Sequence, residues 1–149
     1  ESWREKFKVI QWTMPFLPEN KPRYLMGLGM PEEIVASVAR GVDMFDCVLP
    51  TRNARHGDLF VRNRKRNLAN HVKNFYSVMH ITGAKHRFDM RPVDEACGCL
   101  ACRRYSRAYL RHLFKIGEPL GQRLATLHNL EFYLEMMRDL RSAIRKGSF

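Results

Sequence analysis

The chain has 149 residues, enough for one domain with a real core, and its hydrophobic content of 45% is ordinary for a globular protein. Lysine and arginine outnumber aspartate and glutamate, 26 to 15, for a formal charge of +11, which disfavours an acidic small molecule as partner and favours a polyanion, nucleic acid first. No apolar run approaches a membrane span and Glu1 to Lys6 lacks the core of a secretory signal, so no membrane is expected and the compartment expected is the cytoplasm.

In residues 1–20, Pro15 and Pro18 forbid a continuous helix, so this stretch reads as a connector with Trp12, Phe16 and Leu17 as packing residues. Tyr24 to Leu28, bounded by Pro22 and Gly29, suits a buried parallel strand. A helix should follow. Pro31 fits its first turn, Glu32 and Glu33 its positive end, Ile34, Val35, Val38 and Ala39 one face, and Gly41 its close. Met44 to Leu49 is the next strand, completing a β-α-β unit of the kind found in parallel sheets. In barrels built from such units the chemistry lies beyond the carboxyl ends of the strands, here Gly27-Leu28-Gly29 and Pro50-Thr51-Arg52. Two strands cannot close a barrel.

Asp46 stands between Phe45 and Cys47 in this second strand. Burying a lone carboxylate costs several kcal/mol, so it reads as either a structural acceptor or a reacting group. Further on, Arg62-Asn63-Arg64-Lys65-Arg66 is a charge run, and Phe75 to Ile81 is apolar enough for a strand. His71, His80 and His86 show no ligand spacing. Arg103 to Ile116 has helical periodicity ended by Gly117 and Pro119. Leu120, Leu124, Leu127, Leu130, Leu134, Met137, Leu140 and Ile144 then form one long stripe, which reads as core, with most of the arginines off it.

Cys97, Cys99 and Cys102 form C-x-C-x-x-C, close enough for three thiolates to reach one ion from a single loop. A tetrahedral site needs a fourth ligand, which His128 can supply, and the site would then be closed to water and structural. The alternative is a set of buried cysteines. Three within six residues favour metal, with zinc the expected ion. Cys47 is the odd one, read as a small buried side chain beside Asp46.

Four segments in order resemble the tRNA-guanine transglycosylases, enzymes that exchange the wobble guanine of tRNA for a queuine-type base. They are Lys21-Pro22-Arg23-Tyr24-Leu25-Met26-Gly27, Asp43-Met44-Phe45-Asp46-Cys47-Val48-Leu49-Pro50-Thr51-Arg52 with Asn53-Ala54-Arg55 after it, Val93-Asp94-Glu95-Ala96-Cys97-Gly98-Cys99-Leu100-Ala101-Cys102, and Leu127-His128-Asn129-Leu130. The resemblance covers the carboxyl-terminal portion of a longer enzyme of the bacterial type. It implies an α/β fold: the carboxyl-terminal part of a (β/α)8 TIM-type barrel over 1–92, then a structural zinc-binding subdomain with C-terminal helices over 93–149. The stretch 63–90 departs from the family pattern, and a true insertion and a misread stretch of the gene both fit it.

The resemblance also implies roles. Asp46 matches the nucleophile, and Cys97, Cys99, Cys102 and His128 match the zinc ligands. Met26 and Gly27 match the wall of the base pocket. Gly27, Leu28, Gly29, Met30, Pro31, Glu32 and Glu33, and then Thr51, Arg52, Asn53, Ala54 and Arg55, match stretches that meet the RNA. The implied partners are tRNA with a GUN anticodon and a 7-deazaguanine base, the prequeuosine base ahead of queuine, with a homodimer contact through Tyr109 and His112. The family's second catalytic aspartate belongs to an amino-terminal half that no segment of these residues matches, so this chain alone is expected to be inactive. A reading from a different class is a zinc-stabilised, non-catalytic tRNA-binding or subunit-interaction module, which would have no need of Asp46.

Overall fold

The computed structural model describes residues 3–63 and 74–149. The Arg64 to Arg66 part of the charge run and His71 lie outside the described residues. Helix α1 spans Trp3–Thr13, so the expected connector is helical until Pro15, where a short 3₁₀ turn, Met14–Phe16, takes over. Trp12 and Phe16 are exposed instead of packed.

Strand β1 is Tyr24–Leu25, helix α2 is Pro31–Val38 and strand β2 is Met44–Phe45. The strands pair in parallel, Tyr24 with Met44 and Leu25 with Phe45, so the expected β-α-β unit is present. Both strands are shorter than the sequence suggests. Gly27 turns at φ +71° and ends the first, while Pro50 opens helix α3, Leu49–Arg55, where the second was expected to continue. The pair is also exposed, not buried: Tyr24 and Met44 face outward, and so does Asp46.

Strands β3, Asp58–Arg62, and β4, Tyr76–His80, form an antiparallel ladder with Phe60 opposite Val78. The strand expected at Phe75 to Ile81 is therefore real, with both ends anchored by fully buried Phe75 and Ile81. Successive side chains of β3 point to opposite faces, and here they serve two cores. Leu59 packs with Ile81, Val93, Leu110 and the three clustered cysteines, while Phe60 packs with Ile34, Val35, Phe75 and Phe132.

The expected single helix over Arg103 to Ile116 is two, α4 over Leu100–Arg104 and α5 over Arg107–Lys115. Tyr105 is extended, and Ser106 starts the new helix by accepting the Tyr109 N–H at 3.2 Å. Helix α6 runs from Pro119 to Arg145. Its buried face holds only half of the leucine stripe: Leu124 and Leu140 are buried and Leu120 and Met137 pack against the cores, but Leu127, Leu130, Leu134 and Ile144 are exposed, while Gly121, Ala125, His128, Asn129, Phe132, Tyr133 and Met136 are buried in their place. The helix turns inward the residues whose polar atoms find partners there, which the hydrophobic pattern alone does not reveal.

Candidate metal centre and nucleophile loop

The loop before α4 carries the three cysteines, and the middle of α6 carries His128. Cys97, Cys99 and Cys102 Sγ stand 3.8, 3.7 and 3.3 Å from His128 Nδ1. All four ligand atoms lie within 4.8 Å of one another and all four residues are buried. A tetrahedral zinc ion needs ligand atoms spaced roughly 3.5–3.8 Å apart, so the donor set fits a closed site. His128 Nε2 lies 2.8 Å from the Phe60 carbonyl oxygen and donates to it, which leaves the Nδ1 lone pair for an ion. Hydrogen bonds from the Cys102 and Cys97 thiols pull the Cys99 thiol well below its usual range. Cys99 also caps α4, its Sγ accepting the Cys102 N–H at 3.4 Å.

Asn129, next to His128, is the residue that sequence reasoning quoted without assigning a role. Its Nδ2 donates to the carbonyls of Pro50 at 3.0 Å and Asp58 at 2.9 Å, and its Oδ1 accepts the Phe60 N–H at 3.1 Å. Phe60 faces away from β4 with its backbone groups, and two consecutive side chains of α6 satisfy both of them. Thus one helix ties the metal ligands, the start of α3 and strand β3 together. A second support is Asp89, which accepts from Arg91 and from Arg107 Nη1 at 2.9 Å. Arg107 Nη2 in turn donates to the Val93 carbonyl at 3.0 Å, fastening the approach to the cysteine loop onto α5.

At the end of β2, Asp46 Oδ1 accepts the Gly27 N–H at 2.9 Å. That bond lowers the Asp46 pKa, with the Tyr24 hydroxyl acting in the same direction, so the carboxylate is charged at neutral pH. The structure thus brings Asp46 and Gly27 together. Met26 and Gly27 line a cavity of about 310 Å³ with Lys6, Ile10 and Leu28, whereas Asp46 borders one of about 330 Å³ with Phe45, Cys47, Pro50 and Tyr133.

The loop between Gly27 and α2 is pressed onto β2: a Cβ on Gly29 would lie 2.3 Å from the half-buried Cys47 side chain. Among the residues expected to meet RNA, Gly29, Pro31, Glu33 and Ala54 are buried, and Glu33 pairs with Lys6 at 3.0 Å. Met30, Arg52 and Arg55 are exposed, and Leu28, Glu32, Thr51 and Asn53 are partly so. Arg52 and Arg55 share the last turn of α3. Tyr109 and His112 are exposed on α5, where Tyr109 stacks on Tyr105 with ring centres 5.2 Å apart. His80 hydrogen-bonds Asp58 at 2.7 Å and His86 is buried, and neither joins the cysteine cluster. Among the described residues no helix is long and apolar enough to cross a membrane.

With this geometry in view, the chain was compared with known proteins, and residues 1–149 match the family described as TGT, queuine tRNA-ribosyltransferase. The chain belongs to this family. It is 52% identical over 149 residues to the queuine tRNA-ribosyltransferase of Ralstonia nicotianae, all of this chain and 36% of that protein. It is 49% identical to that of Janthinobacterium sp. (strain Marseille) with the same coverage, and 49% identical over 145 residues, 97% of the chain and 36% of the relative, to that of Neisseria meningitidis serogroup C. The chain therefore spans about a third of the length of the transglycosylase relatives it matches.

Proposed function

We propose that this chain is the nucleophile-bearing and zinc-bearing portion of a tRNA-guanine transglycosylase, acting in queuosine biosynthesis on the wobble guanine of tRNAs with a GUN anticodon. The observation that carries the reading is Asp46, whose carboxylate accepts the Gly27 N–H at 2.9 Å at a strand's carboxyl end, in a chain belonging to that family. One carboxylate oxygen attacks the anomeric carbon of the wobble nucleotide. The bond from that carbon to the guanine nitrogen breaks, its electron pair leaves with guanine, and the expelled base takes up a proton. A ribosyl ester of Asp46 remains. The ring nitrogen of a 7-deazaguanine, giving up its proton, then attacks the same carbon and releases the carboxylate. Two inversions return the original configuration, as in retaining glycosidases.

The Gly27 hydrogen bond orients the carboxylate and favours its charged form. Met26 and Gly27 offer a thioether and a bare backbone to a planar base, and Arg52 and Arg55 offer guanidinium groups to a splayed anticodon loop, with binding that weakens as salt rises. Zinc at Cys97, Cys99, Cys102 and His128 is structural, cross-linking the cysteine loop to α6. β1 and β2 are the last strands of a (β/α)8 barrel, residues 93–149 form the zinc subdomain, and Tyr109 and His112 serve a homodimer.

These residues alone contain no counterpart of the second aspartate, so the isolated chain is expected to bind RNA without exchanging its base. The test is a chimera joining residues 1–149 to the amino-terminal part of the Ralstonia nicotianae relative, assayed for release of labelled guanine from a GUN anticodon stem-loop. Exchange by the chimera and none by the isolated chain is expected. A chimera that folds and binds the stem-loop but releases no guanine would favour the non-catalytic binding module.

A further inference from the structure

Two tyrosine hydroxyls outside the chemistry above converge on the loop that holds Asp46. Tyr133 is buried on α6, and its hydroxyl donates to the Gly29 carbonyl at 2.7 Å, linking positions 104 residues apart. Tyr76 on β4 donates to Glu32 Oε2 at 2.6 Å, at the start of α2. Both rings are seated by the aromatic core. Phe60 stacks on Phe132 at 5.3 Å and meets Tyr133 edge-on at 5.4 Å, and Tyr76 touches Phe60 and Phe132 with ring centres 5.7 Å away. Phenylalanine would fill either seat. What the hydroxyl adds is the bond, because a phenol taken out of water needs a partner and here the partner is the Gly27–Glu33 stretch. Burial raises the pKa of both tyrosines, and the Glu32 carboxylate adds to the rise at Tyr76, so both remain donors well above neutral pH.

The stretch they grip is also held by the Lys6–Glu33 ion pair at 3.0 Å, but neither that pair nor the Asp46 bond reaches the Gly29 carbonyl or the Glu32 carboxylate. Gly29 lies flat on Cys47, and the Gly27 N–H two residues away is the donor that holds Asp46. Tyr76 belongs to the stretch that departs from the family pattern, and its bond to Glu32 gives that stretch a contact with the helix that begins the RNA-facing segment. We propose that Tyr133 and Tyr76 are positioning residues for Gly27–Glu33: Tyr133 sets the loop that presents the Gly27 N–H to Asp46, and Tyr76 sets the first turn of α2 through Glu32. The consequence for RNA rests on the function proposed above, but the positioning itself does not.

The test uses the 149-residue chain with Y133F, Y76F, E32A and the double Y76F/E32A. Amide hydrogen exchange is read at Gly27 and at Ile34, whose N–H donates to the Met30 carbonyl at 3.0 Å, alongside binding of a GUN anticodon stem-loop. Loss of one buried hydrogen bond should speed exchange at both amides by about fivefold in Y133F, with amides of α6 near Leu124 unchanged, and weaken RNA binding by a similar factor. Y76F and E32A should each speed exchange at Ile34, and the double should be no faster than the faster single. Unchanged exchange at Gly27 and Ile34 in a folded Y133F, or additive effects in the double, would overturn the proposal. If Y133F does not fold, the Y76F and E32A cycle decides alone. Should the unmodified chain bind no stem-loop, the proposed function fails while the exchange data still decide the positioning.

Discussion

Around the cysteines, Leu59, Ile81, Val93, Ala101, Leu110 and Ala125 are fully buried, whereas along the β1–β2 pair Tyr24, Met26, Met44 and Val48 stand between 51% and 74% exposed. The metal side closes on itself. Its loop is capped by a cysteine thiol, its histidine is oriented by the Phe60 carbonyl, and its Asp89–Arg107 ion pair is mostly shielded from water. The nucleophile side is two strands of two residues, too little for a sheet to stand alone, and it is anchored from below by α6 and β4. That contrast fits the proposed function: one region is a finished clamp, the other a short, exposed parallel strand pair. β3 is the wall between them, with Leu59 on one side and Phe60 on the other.

Removing the metal should produce the largest effect and break the closed side first. A strong chelator, or Cys102→Ser, is expected to release about one zinc per chain and melt the helices of residues 93–149, since metal binding at such a site supplies folding free energy. Metal analysis with circular dichroism checks it. A chain that keeps its helices and thermal transition after losing the metal would show that the apolar core suffices.

Asn129→Ala comes next, because it strips three hydrogen bonds and leaves the Phe60 N–H and two carbonyls without their side-chain partner. A loss of about 2–4 kcal/mol in denaturant unfolding is expected, with zinc retained. A cost under about 0.5 kcal/mol would mean that the regions are joined otherwise.

Asp89→Asn should act on the metal side alone, costing stability at neutral pH and not in acid. Hydrogen bonds from Arg91 and then from Arg107 hold the Asp89 pKa well below its usual value, so the folded state binds its proton later than the unfolded chain does. Its contribution is present above about pH 4 and is lost as pH falls below the ordinary carboxylate range towards the folded value. Unfolding midpoints from pH 7 to pH 2 should fall more steeply in the parent chain than in Asp89→Asn. Parallel curves would remove Asp89 from the account.

What the sequence made legible divides along the same boundary. The cysteine cluster was readable because ligand spacing is a local signal that burial does not blur, and His128 because it falls in a segment that resembles the family. The β-α-β order was readable from Pro31, Gly41 and two apolar runs, but the strands' lengths were not, because Pro50 could end a loop or open a helix and here opens α3. Asp46 stood out as a carboxylate in an apolar run, yet it is exposed, since the strand stops at Phe45. The inward face of α6 was hidden by its own leucines. His128, Asn129 and Tyr133 are buried because each polar atom has a partner 29 or more residues away, and nothing local encodes that.

The most direct measurement of the central claim is to trap the ester. The chimera described above, incubated with the anticodon stem-loop in the absence of any incoming base and run on a denaturing gel, should show an RNA-protein band that is absent in Asp46→Asn and that a 7-deazaguanine base discharges. A band of equal intensity in Asp46→Asn would place the nucleophile elsewhere and contradict the account.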